Sequence, residues 1–170
     1  GYVISRSRWS DDGTALRQID RYRLDGSLLA SDRRDVERPG GPTGRSLVLC
    51  DTDGEPMRSW EGSWPLYAAW IDHLTMGRPT WLIADSKTVA PFVASYRRRN
   101  VTRVHVVHAS HLAGSATGAG IERIRPSRRR VFEDLGAFDA VTVLSERQRD
   151  DIETLLGPQE NLVVVRNAHH

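Results

Sequence analysis

The chain has 170 residues, 39% of them hydrophobic and 27% charged, with a net charge of +2. That balance excludes a disordered tail and suits one globular domain or two small units. No apolar run approaches the ~20 residues that cross a bilayer, and a single cysteine, Cys50, excludes a disulfide framework within the chain. A lone buried thiol fits a reducing compartment. Lys87 is the only lysine among 24 basic residues. The arginine bias has two readings: genome composition, or fork-shaped binding of phosphates and carboxylates.

Residues 1–62 read as an antiparallel β-meander. The runs "YVISRSRW", "LRQIDRYRL", "SLLASDRRDV" and "RSLVLCD" are short and strand-like. Between or beside them stand Asp12-Gly13, Asp25-Gly26 and Asp53-Gly54. Asp-Gly supplies the positive φ that tight hairpin turns need. "ERPGGPTG", residues 37–44, is a longer loop. A one-sided sheet must cover its apolar face with the rest of the chain or with a partner. The opening run, which carries no initiator Met, reads as a strand already under way in a longer protein.

From residue 63 the periodicity changes. "SWPLYAAWIDHLTMG" is a predicted helix with Ser63 as N-cap, Pro65 in the first turn, a stripe of Leu66, Trp70, Ile71 and Leu74, and Gly77 as its stop. "TWLIAD" is a strand ending in Asp85, and "SKTVAPFVASYRRRN" a helix in which Pro91 either falls in the first turn or makes a kink. "VTRVHVVHAS" is the next strand, "SRRRVFEDLG" a short helix and "DAVTVLS" a strand. "SERQRDDIETLLGP" is a helix with a Ser145/Gln148 capping box and a Gly157-Pro158 stop. "NLVVVRN" is the last strand. Strands alternating with helices predict a parallel, Rossmann-like sheet over residues 63–170, an α/β fold.

Ligands in such sheets bind beyond the carboxyl ends of strands. Three such ends carry Asp85, His108 with His111, and Ser145-Glu146. His105, His108 and His111 are evenly spaced, yet alternate side chains of a strand face opposite ways. No cysteine or carboxylate stands beside them in sequence, so a metal site is not expected. His105 reads as a structural residue of the sheet, whereas His108 and His111 fall where a substrate would lie. The following "LAGSATGAG" permits close backbone approach but matches neither standard nucleotide fingerprint. The basic clusters, Arg97 to Arg99 and Arg123 to Arg130, read either as solvated helix ends or as a capture surface for a polyanion or anionic lipid. They lack the aromatic interleaving of a nucleic-acid surface.

The ordered set "WLIADSKTVAPFVAS…VHVVHASHL…FDAVTVLSERQRDDI…NLVVVRNAHH" resembles the N-terminal domain of glycosyltransferase family 4 enzymes of the GT-B architecture. It is most similar to the branch of poly(glycerol-phosphate) alpha-glucosyltransferases and serine-rich adhesin glycosyltransferases. That branch carries a β-rich insertion, which the Asp-Gly meander resembles. Ser145 stands where Thr is commoner, and Arg166 where Pro is usual.

The resemblance implies a retaining transfer of glucose or N-acetylglucosamine from a nucleotide sugar, with no metal or other cofactor. The acceptor would be a hydroxyl of a polyanionic polymer, such as a teichoic-type polyol phosphate, or of a protein. His111 first and His108 second would touch the reacting hydroxyl or donor sugar. Glu146 and Asp85 would help bind the sugar, and Arg128, Arg129 and Arg130 an anionic acceptor. The donor-binding C-terminal domain would lie outside this chain, and the chain alone would not turn over. A cytoplasmic location, at most peripheral membrane contact, and a homo-oligomer through the meander are further expectations. The rival reading is a non-catalytic Rossmann-type binding or oligomerisation module, with Trp9, Trp60 and Trp64 at an interface.

Overall fold

The computed structural model describes residues 2–108, 112 and 120–166. It divides into two compact units, Gly1–Leu74 and Thr75–His170. The composition shift at residue 62 precedes this division by one helix, which groups with the meander.

The first unit is a five-stranded antiparallel sheet, β1 (Ser5–Trp9), β2 (Leu16–Tyr22), β3 (Leu28–Val36), β4 (Gly44–Cys50) and β5 (Pro56–Trp60), in simple chain order. Helix α1 (Ser63–Thr75) follows. Each predicted Asp-Gly turn forms, and a carboxylate organises each hairpin from within. Asp12 accepts from the Thr14 amide at 3.1 Å, Asp25 from the Ser27 amide at 2.9 Å, and Asp51 from the Asp53 and Glu55 amides at 3.0 and 2.9 Å. Gly13, Gly26 and Gly54 take φ of 70°, 90° and 88°, the left-handed region that a Cβ penalises. Strand β5, which no alternating pattern marks, opens on Pro56 at a sheet edge, where a missing N–H costs no ladder bond.

Arg23 ties the sheet across three chain segments. Its guanidinium donates to the carbonyls of Leu28, Asp51 and Cys50 at 2.7–2.8 Å. Asp32 likewise receives both prongs of Arg45 at 2.7 and 2.8 Å, which holds the Asp32 carboxyl below its usual range. Polar pairs matter in this unit because its core is thin. Of its described residues only Gly44 and Cys50 are buried. The α1 stripe forms, but Trp70 and Leu74 on it remain 57% and 55% exposed. A groove of about 580 Å³ runs between α1 and the sheet, lined by Leu49, Met57, Trp60, Leu66, Tyr67 and Trp70 among others.

The second unit is a four-stranded parallel sheet in the order β6 (Thr80–Ala84), β7 (Val101–Val107), β8 (Ala140–Val143) and β9 (Leu162–Val164). Helices α2 (Ala90–Ser95), α3 (Pro126–Phe132) and α4 (Glu146–Leu156) connect or flank these strands. The central strand β7 buries Val104, His105 and Val107, as a strand covered on both faces must. Phe92, Val93, Val131, Phe132 and Ile152 supply the helical side of the core. The edge strand β6 is different. Trp81 and Ile83 are 70% and 62% exposed, although Ile83 pairs in register with buried Val104.

Helix α2 ends sooner than its sequence suggests. The expected helix runs to Asn100, but Tyr96 leaves the helical region at ψ 85°. Its ring is buried against Phe92 at 5.7 Å, and Arg98 lies over it at 4.8 Å. Ser95 donates its hydroxyl to the Phe92 carbonyl at 2.7 Å, so the freed helix end is satisfied. Arg97 to Arg99 therefore follow the helix rather than form its last turn.

Arg23→Ala removes charged donors from three carbonyls of a sheet with little core. It is expected to cost about 2–3 kcal/mol, measured by urea unfolding followed by circular dichroism. A loss below about 0.5 kcal/mol would show that the ladder alone holds these strand ends.

Candidate functional site

Parallel strands end together, and their last residues form a rim. Asp85 follows β6, His108 follows β7, Ser145 and Glu146 follow β8, and Arg166 follows β9. Asp85, His108 and Glu146 are all exposed there. His111 lies outside the described residues.

Beneath the rim sits His105, one of the largest fully buried side chains. Its Nδ1 donates to the Ala84 carbonyl at 2.9 Å, and its ring stacks on Phe138 at 5.4 Å. Burial pushes its pKa down from the ordinary imidazole value. The Ala84 bond works against that shift, the charges of Arg128 and His108 add to it, and Asp85 opposes it. Asp85, His108 and Arg128 thus all act electrostatically on one buried ring. The expected structural role of His105 is what the fold displays.

Gln148 fixes the geometry between two strand ends. Its backbone amide donates to the Ser145 hydroxyl at 3.2 Å, the expected helix cap. Its side chain does more. Oε1 accepts from the Leu144 amide at 3.0 Å, and Nε2 donates to the Val107 carbonyl at 3.3 Å. One amide therefore ties the residue before His108 to the start of α4. The S-x-x-Q pattern signals the cap, but nothing local signals the bridge to β7.

Glu146 is not isolated. It pairs with Arg149 at 3.0 Å, one helical turn on, and stands 3.8 Å from Arg166 beyond β9. Arg166, the residue found where Pro is usual, thus lies across the rim from Glu146. The consecutive arginines of α3 diverge. Arg128 is half-buried toward His105, whereas Arg129 donates to the carbonyls of Ile124 and Glu122 at 3.1 and 2.9 Å. Arg130 lines a recess beside α2. Among the described residues no three histidine, cysteine or carboxylate side chains cluster as metal ligands. No helix among them is long and apolar enough to cross a membrane.

The succession of an antiparallel meander and a parallel sheet in one chain matches the fold of a group of solved structures. The chain shares its fold with TarM. The likeness covers 100% of this chain and 32% of TarM, at 19% identity and a TM-score of 0.77. A variant of TarM from S. aureus, in complex with fondaparinux, alpha-GlcNAc-glycerol and UDP, matches over 98% of the chain and 34% of its own length, at 16% identity and a TM-score of 0.59. The pneumococcal O-GlcNAc transferase GtfA, in complex with UDP and GlcNAc, matches over 95% of the chain and 31% of its own length, at 15% identity and a TM-score of 0.57. The chain therefore spans about a third of the length of these structures. No family model matches the sequence, and no curated protein does. At these identities the likeness is one of fold. It agrees with the α/β GT-B-type resemblance carried by the sequence motifs, meander included.

Because burial lowers the pKa of His105 in the folded chain below its unfolded value, its contribution to stability is complete above about pH 6.5. It is lost as pH falls below that value. The urea midpoint should therefore drop between about pH 7.5 and pH 5.5, and His105→Gln should flatten that drop. An equal slope in both proteins would assign the pH dependence elsewhere. Gln148→Leu is expected to lose about 1–2 kcal/mol and to shift the backbone resonances of Val107 and His108. Resonances unchanged at β7 would show that the bridge does not hold the rim.

Proposed function

We propose that the chain is the acceptor-side part of a retaining glycosyltransferase of the GT-B, family 4 type. It would help move glucose or N-acetylglucosamine from a nucleotide sugar to a hydroxyl acceptor, either a polyol-phosphate polymer or a protein. The observation that carries this reading is the match to TarM over the whole chain, meander and parallel sheet together. The sequence motifs support it independently, since they fall on strand ends of the kind where such sheets bind ligands. UDP in complexes of both TarM and GtfA supports a nucleotide-sugar donor.

In this reading the strand-end histidines act on the reacting groups. His108 is exposed at the rim, where a neutral imidazole can accept a hydroxyl proton or donate to a sugar oxygen. His111, three residues further along, takes the same role first. Retention requires the acceptor oxygen to approach the anomeric carbon on the side the diphosphate leaves. Positioning of that oxygen therefore decides the rate. Glu146 and Asp85 hold sugar hydroxyls at the flanking strand ends. Arg128 attracts an anionic acceptor, and Arg129 contributes less because carbonyls already hold it. The nucleotide belongs to a further half of the enzyme, as do its stabilising donors. The reaction takes place in the cytoplasm, with at most peripheral membrane contact, and the meander joins copies of the protein.

The test uses the protein that unites residues 1–170 with a donor-binding half. It should release nucleoside diphosphate from one member of a nucleotide-sugar panel. His111→Ala should lower kcat by about 100-fold or more, and His108→Ala by a smaller factor. Unchanged kinetics in both variants would remove the strand-end histidines from the chemistry. Absence of release from every donor would favour the non-catalytic binding module. Arg128→Gln should raise KM for an anionic acceptor and leave that for a neutral one unchanged. Equal effects would defeat the polyanion reading.

A further inference from the structure

A recess of about 410 Å³ lies between α2 and α3 in the second unit. Val131 and Phe138 form its floor, and Ser95, Arg97, Arg130 and Asp134 stand at its margin. It opens at the far edge of the sheet from the rim described above. Arg97 precedes β7 and Phe138 precedes β8, whereas His108 and Glu146 follow those same strands. The seven residues of β7 separate the two edges by roughly 20 Å.

The arginines around this recess fall into two groups. Those in the first are committed within the fold. Arg103 grips both oxygens of Asp139 at 3.0 and 3.1 Å and reaches the Ala94 carbonyl. Arg125 donates to the Leu112 carbonyl, Arg129 to those of Ile124 and Glu122, and Arg98 lies over Tyr96. The second group is Arg97 and Arg130. Neither guanidinium donates a hydrogen bond to another described residue. Arg97 only adds attraction through space to Asp139, whose oxygens Arg103 already occupies. Both uncommitted guanidiniums face one concavity from different elements, above an apolar floor. Two like charges lining one recess favour an anion within it.

We propose that this recess binds the phosphate ester of a small polyol, with the phosphate between Arg97 and Arg130. A carboxylate presents one flat edge to one guanidinium, but a tetrahedral phosphate offers oxygens to two that approach from different directions. Asp134 at the margin repels a bare anion and suits a ligand that also carries a hydroxyl donor. The ligand can be free or the headgroup of a lipid. The site stands apart from the transfer chemistry proposed above, and its test reads binding alone.

The intact chain is titrated with glycerol 3-phosphate, and with acetate at equal ionic strength, by two-dimensional NMR. Saturable shifts confined to residues 94–97 and 130–138 with the phosphate, and none with acetate, are expected. Arg97→Ala and Arg130→Ala should each weaken binding by about ten-fold or more, while Arg130→Lys should retain part of it. Both side chains are exposed, so these variants leave the core intact. Sedimentation with phosphatidylglycerol vesicles, set against phosphatidylcholine vesicles, separates the two sources. Vesicle binding lost in the double variant identifies a lipid headgroup, and glycerol 3-phosphate binding without it identifies a free ester. Binding of neither, shifts elsewhere, or equal affinity in the double alanine variant would overturn the proposal.

Discussion

The parallel sheet buries one imidazole and must hydrogen-bond it within the core. His105 occupies the middle of the central strand, where an aliphatic residue would ordinarily sit. Its donor must find an acceptor inside the core, and the Ala84 carbonyl of the neighbouring strand provides one. That bond joins β6 to β7 beside their ladder. It also lies directly under the residues that form the rim. The charges of Arg128, His108 and Asp85 act through space on this buried ring, behind the larger effects of burial and the Ala84 bond.

Above it, one side-chain amide ties two strand ends of the rim together. Gln148 gives the end of β7 and the start of α4 a shared anchor, so His108 and Glu146 belong to one framework. At the opposite edge, Asn161 performs a comparable task by donating to the Leu135 and Phe138 carbonyls at 2.9 Å. Both residues bond backbone groups of other chain segments and so tie those segments together. Loops fixed in this way can carry chemistry, because the scaffold beneath them does not shift.

Much of this was legible in the residues. Asp-Gly pairs marked the hairpins because the effects are local: Asp12 and Asp25 act on amides two residues on, Asp51 does the same ahead of Asp53-Gly54, and each glycine acts on its own φ. Ser145 with Gln148 marked a helix start for the same reason. The early end of α2 was not legible, since it follows from the burial of Tyr96, a tertiary event that overrides helix propensity. Nor was the divergence of Arg128, Arg129 and Arg130. Adjacent positions on a helix point about 100° apart, and only the neighbouring carbonyls decide which guanidinium is captured. The approach of Arg166 to Glu146 likewise joins the segment after β9 to the start of α4, which sequence distance keeps separate.

Every ladder of the meander contains a register shift, near Trp9, Tyr22, Val36 and Cys50. Such irregularities coil a ribbon and throw its outer backbone donors out of line. The two outermost strands here are also short and carry arginine, features that blunt the edge-to-edge stacking to which long, flat, apolar edges are prone. Even with Trp9 bare on the outermost strand, the margins of this ribbon thus offer no straight template for edge-to-edge pairing.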